Sequence, residues 1–119
     1  ERLFRQMFFK PSAVADAIVE RAVRSSREFG PDLWTRMNRW DAEHMDEALA
    51  AIGCPLMAIQ STTRNAAMQR APMQPGDSNA YLDLLKSKGG RIEIVPDTGH
   101  FTQLEAPERV NRLIAEFCR

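Results

Sequence analysis

Two short apolar runs, CPLMAIQ at 54–60 and RIEIVP at 91–96, constrain this chain more than any other feature. Turn residues bound both: Gly53 and STTRN flank the first, Gly89-Gly90 and Asp97 the second. Short apolar runs without alternation read as strands buried on both faces, the pattern of a parallel sheet. Parallel strands need a long crossover, normally helical. Here the segment 61–76, with Pro72, Pro75 and Gly76, reads as a long loop, and NAYLDLLKSK (79–88) as a helix. Asp77 or Ser78 would cap that helix, and Tyr81, Leu84 and Leu85 would point inward. After the second run Pro107 suits the first position of a last helix. Its Val110, Leu113, Ile114 and Phe117 fall at i, i+3, i+4 and i+7, one apolar stripe. The order is strand, helix, strand, helix. Two strands do not make a stable open sheet, and they leave hydrogen-bonding edges uncovered. More chain, or a partner chain, is therefore expected beside these residues.

Everything before Gly53 reads as helix. Leu3, Phe4, Met7 and Phe8 share helical spacing and Pro11 interrupts them. From Ser12, a plausible N-cap, to Phe29 the apolar stripe is Val14, Ile18, Val19, Ala22 and Val23. Gly30 and Pro31 punctuate its end. Leu33, Trp34, Met37 and Trp40 form a further stripe, and a last turn or two carries Met45, Ala48, Leu49 and Ile52. The expected division is residues 1–52 and 53–119. The chain begins at Glu1 in mid-pattern, as a fragment or processed chain would.

Composition removes several function classes. Lys+Arg and Asp+Glu each number 16, so the net charge is zero and there is no electrostatic footprint for nucleic acid or an anionic membrane surface. With 44% hydrophobic and 27% charged residues the chain is ordinary for a globular protein. No apolar run approaches the roughly 20 residues that span a bilayer. Cys54 and Cys118 are far apart and outside any CxxC, and they read as reduced thiols of a cytoplasmic chain.

The chemistry-bearing residue is His100. Ligands of open α/β sheets bind beyond the carboxyl ends of the strands, and His100 falls there, after Val95 and Pro96. Gly99 before it would free the backbone for a tight turn. An imidazole so placed can take a proton near neutral pH, although position alone fits equally well a ring that bonds a nearby carbonyl. The surrounding residues extend the reading. VPDTGHFTQLEAPERVNRLIAEF (95–117), with its Gly-His-(x)4-Glu-x-Pro, resembles the C-terminal end of the α/β-hydrolase family. LAAIGCPLMAIQST (49–62) is similar to the preceding core strand of that family. The helices down to RWDAEHMDEAL (39–49) are similar to the end of the inserted cap. The resemblance implies an α/β fold: a C-terminal fragment of an α/β-hydrolase, with a helical cap remnant at 1–52 and the last part of the core at 53–119. It implies a Ser-His-acid triad with the serine on a G-x-S-x-G turn and His100 as general base and acid. The implied enzyme is esterase-like, with no metal or organic cofactor. Its partners would be a small-molecule substrate and a missing N-terminal half or partner chain, and a homo-oligomer is compatible with the sequence.

Departures from the family pattern are equally informative. The chain has no G-x-S-x-G. GDSNA (76–80) lacks the second glycine and opens a helix from a loop, so Ser78 reads as a helix cap and the nucleophile is expected upstream. An aspartate nucleophile, giving epoxide or haloalkane hydrolysis, stays open, with His100 then activating water. The usual acid position reads Ser61-Thr62-Thr63-Arg64-Asn65, and Arg64 has only donors. The acid is expected upstream, with the 61–76 segment, Asp77, or weakened acid support as alternatives. Asp41 and Asp97 read as capping and turn residues, and Glu105 as a carboxylate complementing a helix N-terminus. His44, with Glu43 and Asp46, does not form H-E-x-x-H and reads as solvated. Trp34, Trp40, Phe8 and Phe9 read first as helix packing and second as pocket lining. The methionines at 7, 37, 45, 57, 68 and 73 read as core or cap filler. The competing classes are a non-catalytic, degenerate hydrolase-like binding module and a small flavodoxin-like or nucleotide-binding unit, the latter without a glycine-rich phosphate loop.

Overall fold

A computed structural model describes residues 1–24, 29–67 and 69–119. The expected helix turn at 25–28 and the expected core filler Met68 lie outside the described residues. The elements in chain order are α1 (Arg2–Arg5), α2 (Ala13–Val23), α3 (Phe29–Ala50), β1 (Met57–Gln60), β2 (Thr62–Arg64), β3 (Arg70–Pro72), α4 (Ala80–Ser87), β4 (Arg91–Ile94), α5 (Thr102–Glu105) and α6 (Pro107–Phe117). The architecture is mixed α/β with a small parallel sheet.

The two apolar runs pair as the sequence suggests. β1 and β4 lie parallel, with Met57 opposite Arg91 and Gln60 opposite Ile94. The ladder continues one residue at each end, through Arg91 N to Leu56 O and Val95 N to Gln60 O, both 2.8 Å. Neither strand is buried on both faces, a correction to the sequence reading. All four residues of β1 are half-buried, and α4 packs on β4. The core lies under α4, where Met73, Leu82 and Leu85 are sealed among Leu49, Leu56, Ala58, Ile92 and Ile94.

The segment 61–76 is not a structureless loop. β2 and β3 form an antiparallel hairpin, with Thr62 opposite Pro72 and Arg64 opposite Arg70. Asn65 turns it, its side-chain oxygen accepting from the amides of Ala67 and Gln69 at 3.0 Å each. Met73 then returns the chain to the core and donates its amide to Ser61 O at 2.8 Å.

Helix starts are set by local chemistry. Ser12 caps α2, its hydroxyl accepting from Ala15 N at 3.1 Å, as its residue type suggests. The cap of α4 is Asn79, not Asp77 or Ser78: Asn79 Oδ1 accepts from Leu82 N at 3.0 Å. Leu82 and Leu85 face inward, while Tyr81 is 46% exposed. Gly89, with φ +80°, follows as the left-handed residue that closes α4. Gly30 and Pro31 do not break the chain. They lie in the first turn of α3, where the missing proline N–H would have had no helical partner anyway.

Three apolar stripes also differ from expectation. In α2 the buried residues are Ala15 and Val19, while Val14 and Val23 are exposed. In α3, Leu33, Trp34, Met37 and Trp40 are all exposed, so they form no packed core among the described residues. In α6, Val110 and Leu113 are buried and Ile114 is exposed. No described helix is long and apolar enough to cross a membrane.

Candidate functional site

The site begins where the β1–β4 ladder stops. Val95 is buried, and Pro96-Asp97 turn the chain sharply, with Asp97 in the left-handed region at φ 58°. Asp tolerates that region better than most residues. Thr98 Oγ1 closes the turn by donating to Val95 O at 2.8 Å. His100 therefore lies in the loop immediately past the carboxyl end of β4, as its position in the sequence suggests.

Three sets of contacts hold that loop. From the β1 side, the buried Ser61 donates its hydroxyl to Gly99 O at 2.5 Å. The buried Thr102 hydroxyl lies 3.0 Å from Ser61 Oγ and 3.2 Å from the same carbonyl. From α5, Glu105 accepts from Gly99 N at 2.6 Å through one carboxylate oxygen, and from Phe9 N at 2.8 Å through the other. From the N-terminal segment, Met7 O accepts from His100 N at 2.6 Å, and the Phe8 ring stacks on Phe101 with centroids 5.0 Å apart. Glu105 thus joins the histidine loop to Phe9, which lies 96 positions before Glu105 in the chain.

Gly99 is required for space rather than for backbone freedom. Its φ is not positive, but a Cβ there would meet Met7 O and come within 2.7 Å of both Phe9 N and a Glu105 carboxylate oxygen. The tight-turn reading is corrected accordingly. Glu105 does more than complement a helix end, since it clamps two separate segments by charge-assisted hydrogen bonds.

The His100 ring is open to solvent on one side and meets Phe101 edge-on, with centroids 5.3 Å apart. Among the described residues neither ring nitrogen has a hydrogen-bond partner and no carboxylate pairs with it. Its pKa is lowered below the ordinary histidine value by partial burial first, then by Arg70 and Arg64. The lowered pKa favours the uncharged imidazole, the form able to accept a proton. Arg70 reaches the root of the hairpin, with Nη1 3.2 Å from Thr62 Oγ1. Its own pKa is lowered by burial and by Arg64.

The other candidate residues are engaged elsewhere. Ser78 Oγ donates to Asp83 Oδ1 at 2.5 Å, and Asp77 accepts from Gln74 N at 2.7 Å within its own turn. His44 is partly exposed on α3 beside Trp40, with Glu43 and Glu47 about it at 4.0 and 3.9 Å. Asp41 is half-buried on α3 and Asn65 turns the hairpin. Cys54 and Cys118 are free and exposed. No group of three or more metal-ligating side chains occurs among the described residues. The structural partners of the loop, Ser61 and Thr102, carry no sequence signal beyond a hydroxyl at the end of a strand run and another two residues after the histidine.

Among curated proteins an epoxide hydrolase of Neurospora crassa, srdG, is 29% identical over 104 residues, 87% of this chain and 30% of that enzyme. The chain is similar to a hydrolase. It spans about a third of the length of the curated relative it matches. No protein-family model matches the chain, and no solved structure matches it.

Proposed function

We propose that the chain is the C-terminal part of an α/β-hydrolase-type enzyme, with residues 1–52 as the end of a helical cap and 53–119 as the last part of the core, and that His100 is its catalytic base. The observation that supports this reading is a solvent-open imidazole directly past the carboxyl end of a parallel strand, on a loop locked from three sides. The nucleophile lies in polypeptide outside these residues.

The chemistry has two steps. The nucleophile attacks the substrate and becomes esterified. For an ester substrate this is a serine whose proton passes to His100 Nε2 or Nδ1 and on to the leaving alcohol. For an epoxide it is a carboxylate that opens the ring at carbon, and the ring oxygen takes a proton. In the second step His100 removes a proton from water and the hydroxide adds to the ester carbonyl; collapse expels the serine oxygen in the ester version, or the diol oxygen with regeneration of the carboxylate in the epoxide version, and the expelled oxygen takes the proton back from His100. The name of the Neurospora relative favours the epoxide version.

The test is the full-length parent with styrene oxide and a p-nitrophenyl ester as substrates. His100→Ala is expected to lower kcat by about a hundredfold or more and to trap the covalent ester, visible as added protein mass. Unchanged turnover removes His100 from the mechanism. The second reading, a non-catalytic binding module, is favoured by one observation: arginines, and no carboxylate, act on His100 among the described residues. Lack of turnover in the wild-type parent on both substrates would support it.

A further inference from the structure

We infer that Arg64 and Arg70, paired across the β2–β3 hairpin beside the histidine loop, form a carboxylate-binding site that selects anionic substrates for the reaction at His100. The inference rests on the proposed function, and its subject is the substrate class.

Arg64 and Arg70 are direct partners in the antiparallel register. Residues directly opposite in such a pair project from the same face, with Cβ atoms about 5 Å apart, and like charges there repel. An anion between the two guanidinium groups would offset that repulsion. Among the described residues neither guanidinium pairs with a carboxylate. Arg70 is half-buried, and among the described residues its guanidinium has one hydrogen-bond partner, the Thr62 hydroxyl at 3.2 Å. A partly desolvated guanidinium keeps most of its five donors unused, which costs free energy until an anion fills them.

The pair is also next to the reacting group. Thr62, which holds Arg70, follows Ser61, and Ser61 is bonded to Gly99 at 2.5 Å, one residue from His100. Both guanidinium groups act electrostatically on the imidazole. A substrate carboxylate held in the fork of Arg70, with Arg64 alongside, would leave the far end of a short substrate within reach of His100. A planar guanidinium grips a carboxylate through two parallel hydrogen bonds, which lysine cannot do.

The test uses the full-length parent and matched substrate pairs: mono-4-nitrophenyl glutarate against 4-nitrophenyl pentanoate, and 3-phenylglycidate against styrene oxide. Arg70→Gln is expected to raise KM about tenfold or more for the anionic member of a pair and to leave the neutral member within about twofold. Arg64→Gln should do the same to a lesser extent, and Arg70→Lys should recover only part. Equal losses on both members would overturn the inference, because the arginines would then brace the hairpin or hold a carboxylate of the parent chain. An unchanged preference would overturn it too. Binding of pentanoate against pentanamide, followed by calorimetry in wild type and Arg70→Gln, decides the matter without turnover: pentanoate preference lost in the variant supports the site, and no preference in wild type overturns it. Failure of the base assignment shows separately, as His100→Ala with undiminished activity on the neutral substrates.

Discussion

The two halves of the chain use their apolar residues in opposite ways. From Leu56 to Phe117, strands and helices share one core, with Met73, Leu82 and Leu85 sealed between α4 and the β1–β4 pair. From Gly30 to Ala50 no residue is buried, and Trp34 and Trp40 are 55% and 52% exposed on the flank of a 22-residue helix. What holds α3 is local. Arg36 pairs with Asp32 and Arg39 with Glu43, each at 2.9 Å and one turn apart. Such exposed pairs contribute about 0.2–0.5 kcal/mol each. Only the C-terminal end of α3 reaches the core, through Leu49 packed against the Met73–Leu82–Leu85 cluster, and the rest of the helix presents Leu33, Trp34, Met37 and Trp40 to solvent. The same periodicity that identifies a helix does not say whether its apolar face has a partner in the same stretch of chain.

That contrast can be broken or sharpened by substitution. Leu82→Ala, in the sealed core, is expected to cost about 2–5 kcal/mol in urea unfolding; a loss below about 1 kcal/mol would mean the core is not where it is drawn. Gly99→Ala, which forces a methyl against Met7, Phe9 and Glu105, should cost about 1–3 kcal/mol, and a silent substitution would show that the N-terminal segment does not approach the loop. Glu105→Gln keeps the shape but weakens two charge-assisted bonds, for about 1 kcal/mol in the same assay. Trp34→Ala is expected to stay within about 0.5 kcal/mol in this chain, and a larger loss would place a partner on α3. The smallest effect is a pH dependence. His100 has its folded pKa depressed by burial, Arg70 and Arg64. As pH falls through about 6.5 the unfolded chain takes up a proton that the folded one refuses, so stability declines and levels off below the folded pKa. An NMR titration of the ring should show this, and Arg70→Gln should move the midpoint upward.

What the sequence made legible was local or periodic. The two apolar runs pair, Ser12 caps α2, Gly89 closes α4, and His100 follows its strand, because each depends on residues within a few positions. The hairpin escaped notice since its strands are three residues each and carry Thr and Arg instead of alternating apolar residues. On α4 Leu85 points inward as expected, but Leu82 and not Tyr81 shares its face, because Tyr81, Leu82, Leu84 and Leu85 fit more than one helical stripe. The least legible features are the contacts that join distant segments: Ser61 with Gly99, Arg64 with Arg70 across a turn, and Glu105 with Phe9. None of these leaves a spacing to count.

The Glu105 clamp has a consequence for how this architecture assembles. Its two grips lie almost a hundred residues apart in the chain, so the second can close only after nearly all intervening structure exists, and loop-closure entropy makes such contacts late. The amides of Phe9 and Gly99 are therefore sentinels: their slow exchange with solvent would announce that assembly had run to its end, and their early release on heating would mark the first seam to open.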